Sequence, residues 1–183
     1  QETQTVFIDA ALNFKSASNK QMSILGIGFG TASQYEGEYE DAARSALGLS
    51  DVLTLTSVSS GSPAEDAGLQ EGDQLLAVGS SALPVGEGGA EVASESIRLA
   101  ALLGVVNLTI RRAGREIEVS VIPRDVCSYP TTVVVEGGVN AFADGERVVF
   151  SWAMMRFADD DELRTIVGHE IAHNAMRHID AKK

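Results

Sequence analysis

Two hydrophobic patterns occur along this chain of 183 residues. Over residues 22–124, short apolar segments are separated by turns that contain glycine, proline or aspartate, which is typical of short strands and helices joined tightly. Near the C-terminus, apolar residues instead recur every three or four positions and predict a helix from Asp159 to Ile179. Asp159, Asp160 and Asp161 would cap its first turn and complement its dipole. The chain is therefore predicted to be of the α+β class.

The segment from residue 22 to 124 divides into individual elements at its turn residues. Pro63 can start a short helix, Gly68 can end it, and Gly72-Asp73 forms a turn before an apolar strand. An amphipathic helix is predicted for Glu38–Leu47, ended by Gly48. The other predicted elements are a strand at Val52–Val58, a helix at Ala90–Leu103 closed by Gly104, and a hairpin of Val105–Arg111 and Arg115–Ile122 turned at Ala113-Gly114.

The C-terminal helix carries two histidines and a glutamate in the order His169-Glu170-x-x-His173. Residues four apart lie on the same face of a helix, so the two imidazoles can share one metal ion, and Glu170 lies beside them. Neutral imidazoles bind zinc, zinc polarises a peptide carbonyl, and a nearby carboxylate takes a proton from the attacking water. The pattern predicts a zinc site for peptide hydrolysis, while a surface helix with two incidental histidines is the less favoured interpretation.

A catalytic zinc usually has three protein ligands, and only two are visible in the pattern. His178 follows His173 by five residues, which turns it away from the pair on a helix, so we interpret it as a residue near the helix end. Cys127, the single cysteine, is a less favoured third ligand than an unknown acidic side chain. Gly168 directly precedes the first histidine and predicts close approach of another backbone or a ligand.

Five segments near the C-terminus carry a family resemblance: Asn140–Gly145, Arg147–Phe150, Asp159–Leu163, Val167–Asn174 and Arg177-His178. Together, over the last 50 residues, they resemble the zinc metallopeptidases of the HtpX, Oma and Ste-type group. The resemblance implies that His169 and His173 bind Zn²⁺, that Glu170 is the general base, and that the third ligand is a glutamate on a later helix. No residue up to Lys183 corresponds to that glutamate, so the chain is expected to be truncated after this helix.

Residues 22–124 resemble a PDZ domain of the bacterial type, because the Pro63-to-Val78 order of helix, turn and strand follows a glycine-containing stretch. That stretch, Leu25, Gly26, Ile27, Gly28 and Phe29, resembles the loop whose backbone amides bind a peptide C-terminus. A PDZ domain adds the peptide to a sheet edge, so protein or peptide partners are implied. An ordinary strand with a bulge is the alternative for this stretch. The helix at Glu38–Leu47 is an insertion that could reshape the groove.

Charge and composition narrow the function further. The formal net charge of −12 argues against nucleic acid and against anionic membranes as partners. No apolar run approaches the length of a membrane span, so we expect a soluble protein. The chain starts without a basic and apolar leader, as expected if a signal peptide had been removed, and a periplasmic or cell-envelope location is a hypothesis. An oligomer remains possible.

The sequence thus predicts three parts: an N-terminal segment over residues 1–21, a PDZ-like β-sandwich or barrel with two helices over 22–124, and the first part of a zincin-like metallopeptidase over 125–183. The predicted activity is zinc-dependent endopeptidase, with the PDZ-like part binding substrate or peptide. Two alternatives stay open. One is a non-catalytic peptide-binding protein, and the other is an inert fragment of a longer enzyme.

Overall fold

The computed structural model describes residues 21–135 and 137–176. The chain divides into two compact units, which we call the central unit, Ser23–Arg124, and the C-terminal unit, whose described residues are 21–22 together with 125–135 and 137–176. Strand β1, Gln21–Ile24, pairs with β8, Arg124–Cys127, in a two-stranded sheet. Within these ranges no helix has the length and apolar character needed to cross a bilayer.

The central unit is built on an antiparallel sheet in the order β2-β3-β4-β6-β7, with a short β5 paired to β4. The β6–β7 hairpin turns at Ala113 and Gly114, which both have positive φ, as a two-residue hairpin loop requires. The predicted hairpin is therefore confirmed. The strands are β2 Ile27–Gly30, β3 Thr54–Val58, β4 Gln74–Val78, β5 Ser81–Ala82, β6 Val106–Arg112 and β7 Arg115–Val121.

Three α-helices belong to the central unit: α1 Glu38–Ala46, α2 Pro63–Asp66 and α3 Gly89–Ala101. Helix α1 packs beside a 3-10 helix, Ala32–Gln34, around a small buried cluster. Helix α3 packs on β4 and β6 and contributes Ala93 to the main core. Burial of the apolar side of the sheet against this helix holds the unit together. The core includes Leu53, Leu55, Leu75, Val106, Leu108 and Ile110.

An ion pair between the buried Asp73 and the partly exposed Arg112 joins the turn before β4 to the end of β6. Arg112 donates from Nε to Asp73 Oδ1 and from Nη2 to Oδ2, each at 2.6 Å, and Nη2 also reaches the Gly68 carbonyl at 2.9 Å. The Asp73 carboxylate, which is 1% exposed, accepts a further bond from the Gln70 amide. The hydrogen bonds to Asp73 raise the pKa of the Arg112 guanidinium. The predicted Gly72-Asp73 turn is thus also bound to the end of β6 through the Asp73 side chain.

The C-terminal unit contains a three-stranded sheet and two helices. Strand β11, Val148–Ser151, lies between β10, Ala141–Ala143, which runs antiparallel to it, and β9, Thr131–Val134, which runs parallel. Helices α4, Trp152–Phe157, and α5, Asp160–Ala175, follow. The buried core consists of Val148 and Phe150 from β11 with Val167 and Ile171 from α5.

The structure corrects several sequence-based expectations. The apolar pattern predicts one strand over Arg147–Trp152, but the observed strand ends at Ser151, which accepts a hydrogen bond from the Met154 amide and starts the unpredicted helix α4. Pro123 and Pro130 predict a link over residues 125–130, but residues 125–127 belong to strand β8. The C-terminal helix ends at Ala175 within the described residues, and Ile179 lies outside them. Most other predicted elements differ only by one or two residues at their ends.

Candidate functional site

Helix α5 carries the candidate metal site, and its start is firmly capped. Asp159 Oδ1 accepts from the Glu162 amide at 2.9 Å, and Glu162 Oε2 accepts from the Asp159 amide at 3.0 Å. This reciprocal capping box satisfies two backbone donors of the first turn. Three acidic residues in that turn also complement the helix dipole. The prediction of an acidic cap at Asp159 is confirmed.

The two predicted metal ligands point to a common position. The Nε2 atoms of His169 and His173 are 3.0 Å apart, and their rings meet edge to face with centroids separated by 4.5 Å. His169 is exposed and His173 is half-buried. Two imidazole nitrogens bound to one tetrahedral zinc are about 3.3 Å apart, so the pair fits a shared ion with only a small adjustment. The i, i+4 spacing on the helix accounts for this convergence.

Glu170 is half-buried on α5, one residue after the first histidine. Its carboxylate forms no hydrogen bond or ion pair with any other residue in the described ranges. A carboxylate without a fixed cation partner is free to turn towards a molecule bound beside the histidines. Gly168 was predicted to allow close approach of another backbone or a ligand. A Cβ added there meets no described atom outside its own helix within 4 Å, so no described backbone approaches it.

A third ligand is not found among the described residues. Over residues 21–135 and 137–176, no group of three histidine, cysteine, aspartate or glutamate side chains has a geometry that would hold a metal. Cys127, the less favoured candidate, is buried at the end of β8 and does not join the histidine pair in such a group. His178 lies outside the described residues. The two histidines fit zinc, and the remaining ligand stays unknown.

The residue after His173 is a buried polar contact that the sequence interpretation missed. Asn174 is 3% exposed, its Oδ1 accepts from the Gly145 amide at 2.7 Å, and its Nδ2 donates to the Arg147 carbonyl at 3.0 Å. It thereby joins α5 to the turn between β10 and β11. Its burial could have been predicted from helical spacing, because Asn174 continues the buried face formed by Leu163, Val167 and Ile171.

The same turn is stabilised from its other side by Asp144. Its Oδ1 accepts from the amides of Glu146 and Arg147, and its Oδ2 pairs with Arg147 Nε at 2.8 Å. The hydrogen bond from the Arg147 side chain, followed by that from the Glu146 amide, lowers the pKa of Asp144 to about 2. A carboxylate with these donors remains ionised at neutral pH and keeps the turn closed.

The predicted peptide-binding residues lie at the start of the central sheet. Leu25 is buried, and its carbonyl accepts from the Ala64 amide, while the Gly26 carbonyl accepts from the Ser59 amide, both at 2.9 Å. Gly26 has φ +82, and a Cβ there would be 2.2 Å from Ser62 Cβ. Only glycine fits this position without rearrangement. The remaining three residues, Ile27, Gly28 and Phe29, belong to β2.

Strand β2 is an edge of its sheet in the described structure, because its sole neighbour in the strand order is β3. The register of this pair shifts between Gly28 and Phe29, so the bulge that was the alternative interpretation is also present. Ile27 and Phe29 are half-buried against the core, and the other edge of β2 remains unpaired in the sheet. An unpaired edge strand can accept a peptide by strand addition.

Comparison with known proteins supports two domain types. The model of "PDZ domain" matches residues 54–112, and that of "Peptidase family M48" matches residues 106–182. The chain thus contains one segment similar to PDZ domains and one similar to M48 peptidases. The M48 match begins within β6 of the central sheet and extends over helix α5 with its histidine pair. The two resemblances seen in the sequence and the predicted α+β class are confirmed.

Individual relatives match shorter stretches or only the fold. "Mitochondrial metalloendopeptidase OMA1" of Arabidopsis thaliana is 41% identical over 54 residues, which are 28% of this chain and 11% of that protein. The chain therefore spans about a tenth of the length of that relative. Two solved structures have lower similarity. The HtrA3 PDZ domain bound to a phage-derived ligand is 22% identical over 58% of this chain and 88% of its own, with a TM-score of 0.41. The HtrA-type protease AlgW with decapeptide is 18% identical, and the match covers 60% of this chain and 31% of that protease, with a TM-score of 0.43.

Proposed function

We propose that this chain is part of a zinc-dependent endopeptidase in which the PDZ domain binds protein or peptide substrates. The observation that carries the proposal is the convergence of His169 and His173 Nε2 atoms to 3.0 Å on the helix that also bears Glu170. The M48 match over the same helix supports a peptidase. The resemblance to the HtpX, Oma and Ste-type group supports zinc as the metal and a glutamate as the third ligand.

The chain's own residues would divide the chemistry between them. His169 and His173 would hold the zinc, which when bound polarises the scissile carbonyl and activates water. Glu170 would accept a proton from the attacking water and then deliver it to the nitrogen of the leaving amine. Its half-buried position and lack of a described ion pair suit a group that gains and loses a proton.

The edge strand β10 is the proposed site of substrate alignment. Its single neighbour in the described sheet is β11, and it packs against α5. Asn140, which could have been only a turn residue, precedes this strand, and its backbone makes two hydrogen bonds with Ser151. An extended peptide beside β10 could pair with its open edge, as in other strand-addition complexes.

For the PDZ domain we propose capture of a peptide C-terminus by the stretch from Leu25 to Phe29, with the peptide backbone added to β2. The unpaired edge of β2 supports this role. Helix α1, the insertion between β2 and β3, packs on the 3-10 helix. The peptide-binding experiment described below decides whether this helix leaves the groove open. A periplasmic or cell-envelope location is proposed from the resemblance, and fractionation of cells producing the native protein would test it.

A non-catalytic peptide-binding protein is the second candidate function. The specific observation in its favour is that no three-ligand group occurs among residues 21–135 and 137–176. In that case the PDZ domain would act alone, and the histidine pair would be without catalytic use. An inert fragment of a longer enzyme is the related third possibility.

Zinc analysis and casein cleavage by the purified chain distinguish these candidates. The endopeptidase proposal expects zinc bound to the chain, cleavage that a chelator abolishes and zinc restores, and a loss of about 10²–10⁴-fold in Glu170→Gln with the metal retained. Glu146→Gln is the matched control, because Glu146 is exposed on a turn of the same unit. Cleavage that resists chelation, or equal activity in both variants, would overturn the proposed mechanism. A zinc-free and inactive wild-type chain that binds C-terminal peptides would favour the second candidate.

Peptide capture is tested separately by calorimetry with pentapeptides ending in valine, leucine or phenylalanine. Each peptide is prepared as the free acid and as the amide. Loss of the charged carboxylate should weaken binding by about tenfold or more, since charge-assisted hydrogen bonds contribute about 1.5–3 kcal/mol. Equal affinity of acid and amide would contradict carboxylate capture, and absence of binding by every peptide would indicate that the groove is closed.

A further inference from the structure

Asn174 differs from the other buried residues of α5 in the kind of contact it makes. Val167 and Ile171 pack on Val148 and Phe150 of β11 through apolar contacts, which have little directional preference. Asn174 instead forms two hydrogen bonds with backbone groups of the turn between β10 and β11. Both bonds have a defined direction, so they restrict how the helix can rotate or slide against the sheet.

The partners of Asn174 are themselves held in place. The Arg147 carbonyl accepts from Asn174 Nδ2 and, at 3.2 Å, from the Asp144 amide. The Asp144 carboxylate binds the amides of Glu146 and Arg147. The turn is therefore a rigid point of attachment immediately after β10, and we call these contacts the Asn174 clamp.

The Asn174 clamp lies between the two parts of the proposed active site, which are the histidine pair and strand β10. The distance between the two histidine nitrogens depends on spacing within α5 alone, and the clamp cannot alter it much. The position of that pair relative to β10 depends on contacts between helix and sheet. Because Asn174 directly follows His173, a displacement of this helix end would carry the second imidazole with it.

We propose that Asn174 is a positioning residue that fixes the histidine pair relative to strand β10. The inference rests on the proposed function, because it requires a metal at His169 and His173. Asn174 would thereby align the metal with strand β10, although its side chain contacts neither the metal nor that strand. The hydrogen bonds from one side chain to two backbone groups of one turn carry the proposal.

The test uses the whole chain loaded with Co²⁺, which takes nitrogen ligands as zinc does and shifts the NMR signals of nearby amides according to their position. The signals of interest are the amides of Ala141, Phe142 and Ala143. We expect Asn174→Ala to bind Co²⁺ within about twofold of wild type, since the spacing of the two histidine nitrogens is set within α5. The Co²⁺-induced shifts along β10 should nevertheless change relative to those within α5.

Leu163→Ala is the matched control, because Leu163 is buried on the same helix but lies far from the turn. It should destabilise the unit and leave the β10 shifts at their wild-type values. Asn174→Ser keeps a small polar group that can satisfy one of the two backbone partners, so it should give a smaller change, and it serves if the alanine variant does not fold. Wild-type β10 shifts in both Asn174 variants, or an equal change in Leu163→Ala, would overturn the inference. Failure of the wild-type chain to bind Co²⁺ at the histidine pair would instead overturn the proposed metal site.

Discussion

The central and C-terminal units both use a buried polar side chain to hold a tight turn, but they use different chemistry. In the central unit, Asp73 binds the turn before β4 to Arg112 through a charged, bidentate pair. In the C-terminal unit, the neutral Asn174 binds the β10–β11 turn through backbone groups. The first connects parts of one sheet, whereas the second connects a sheet to the helix bearing the histidine pair.

The difference relates to the surroundings of each contact. Among the described residues, Val148, Phe150, Val167 and Ile171 form an apolar cluster between β11 and α5, and Asn174 adds two directional hydrogen bonds to these contacts. A buried carboxylate needs several hydrogen-bond donors, and Asp73 receives them from Arg112 and from the Gln70 amide. A neutral amide needs fewer partners, and on α5 it adds no charge next to the candidate metal ligand His173.

Removing the charged contact should have the largest effect on stability. We expect Asp73→Ala to lower the free energy of unfolding of the central unit by about 2–3 kcal/mol, because the Arg112 guanidinium and the Gln70 amide both lose their charged acceptor. Urea unfolding followed by circular dichroism and by amide NMR signals of the central sheet measures the change. Asp66→Ala is the control, since Asp66 pairs with Arg124 at 3.3 Å in an exposed position and should cost less than about 1 kcal/mol. Similar losses in the two variants would contradict a special role for the buried pair.

The neutral contact should come next. We expect Asn174→Ala to lower the free energy of unfolding of the C-terminal unit by about 1–3 kcal/mol, because the Gly145 amide and the Arg147 carbonyl lose a buried partner. Hydrogen exchange of the Gly145 amide should accelerate in the same variant. The matched control is Asn107→Ala, in which an exposed bond to Ser120 is lost and a change within about 0.5 kcal/mol is expected. An unchanged exchange rate at Gly145 would show that the amide is protected by something else.

The smallest effect concerns pH and the Asp144 side of the turn. Its folded-state pKa of about 2 lies below the ordinary value of 3.8, so the stabilisation is fully present above about pH 4 and is lost as the pH falls towards 2. Because Asp144 and Arg147 are partly exposed, we expect less than about 1 kcal/mol. Wild type should therefore be slightly more stable than Asp144→Asn at pH 5, and the difference should shrink during acidification. A difference that stays constant between pH 5 and pH 2 would contradict this.

Local patterns predicted most of the central unit correctly. Pro63 at the first position of α2, the positive-φ Gly68 after it and the Ala113-Gly114 turn each act over a few residues, so their effect can be inferred from the chain alone. Helix α4 was not predicted, because the apolar run that forms β11 continues into it. Only the cap at Ser151 separates the two elements, and its hydroxyl also accepts from Asn140, eleven residues earlier.

The convergence of His169 and His173 was determined by the sequence itself, since the geometry of one helix turn brings residues four apart together. The tertiary structure decided how that helix lies against β10 and that Asn174 holds it there. Asn174 and Gly145 are 29 residues apart. Their contact depends on how sheet and helix pack, which no short pattern along the chain specifies.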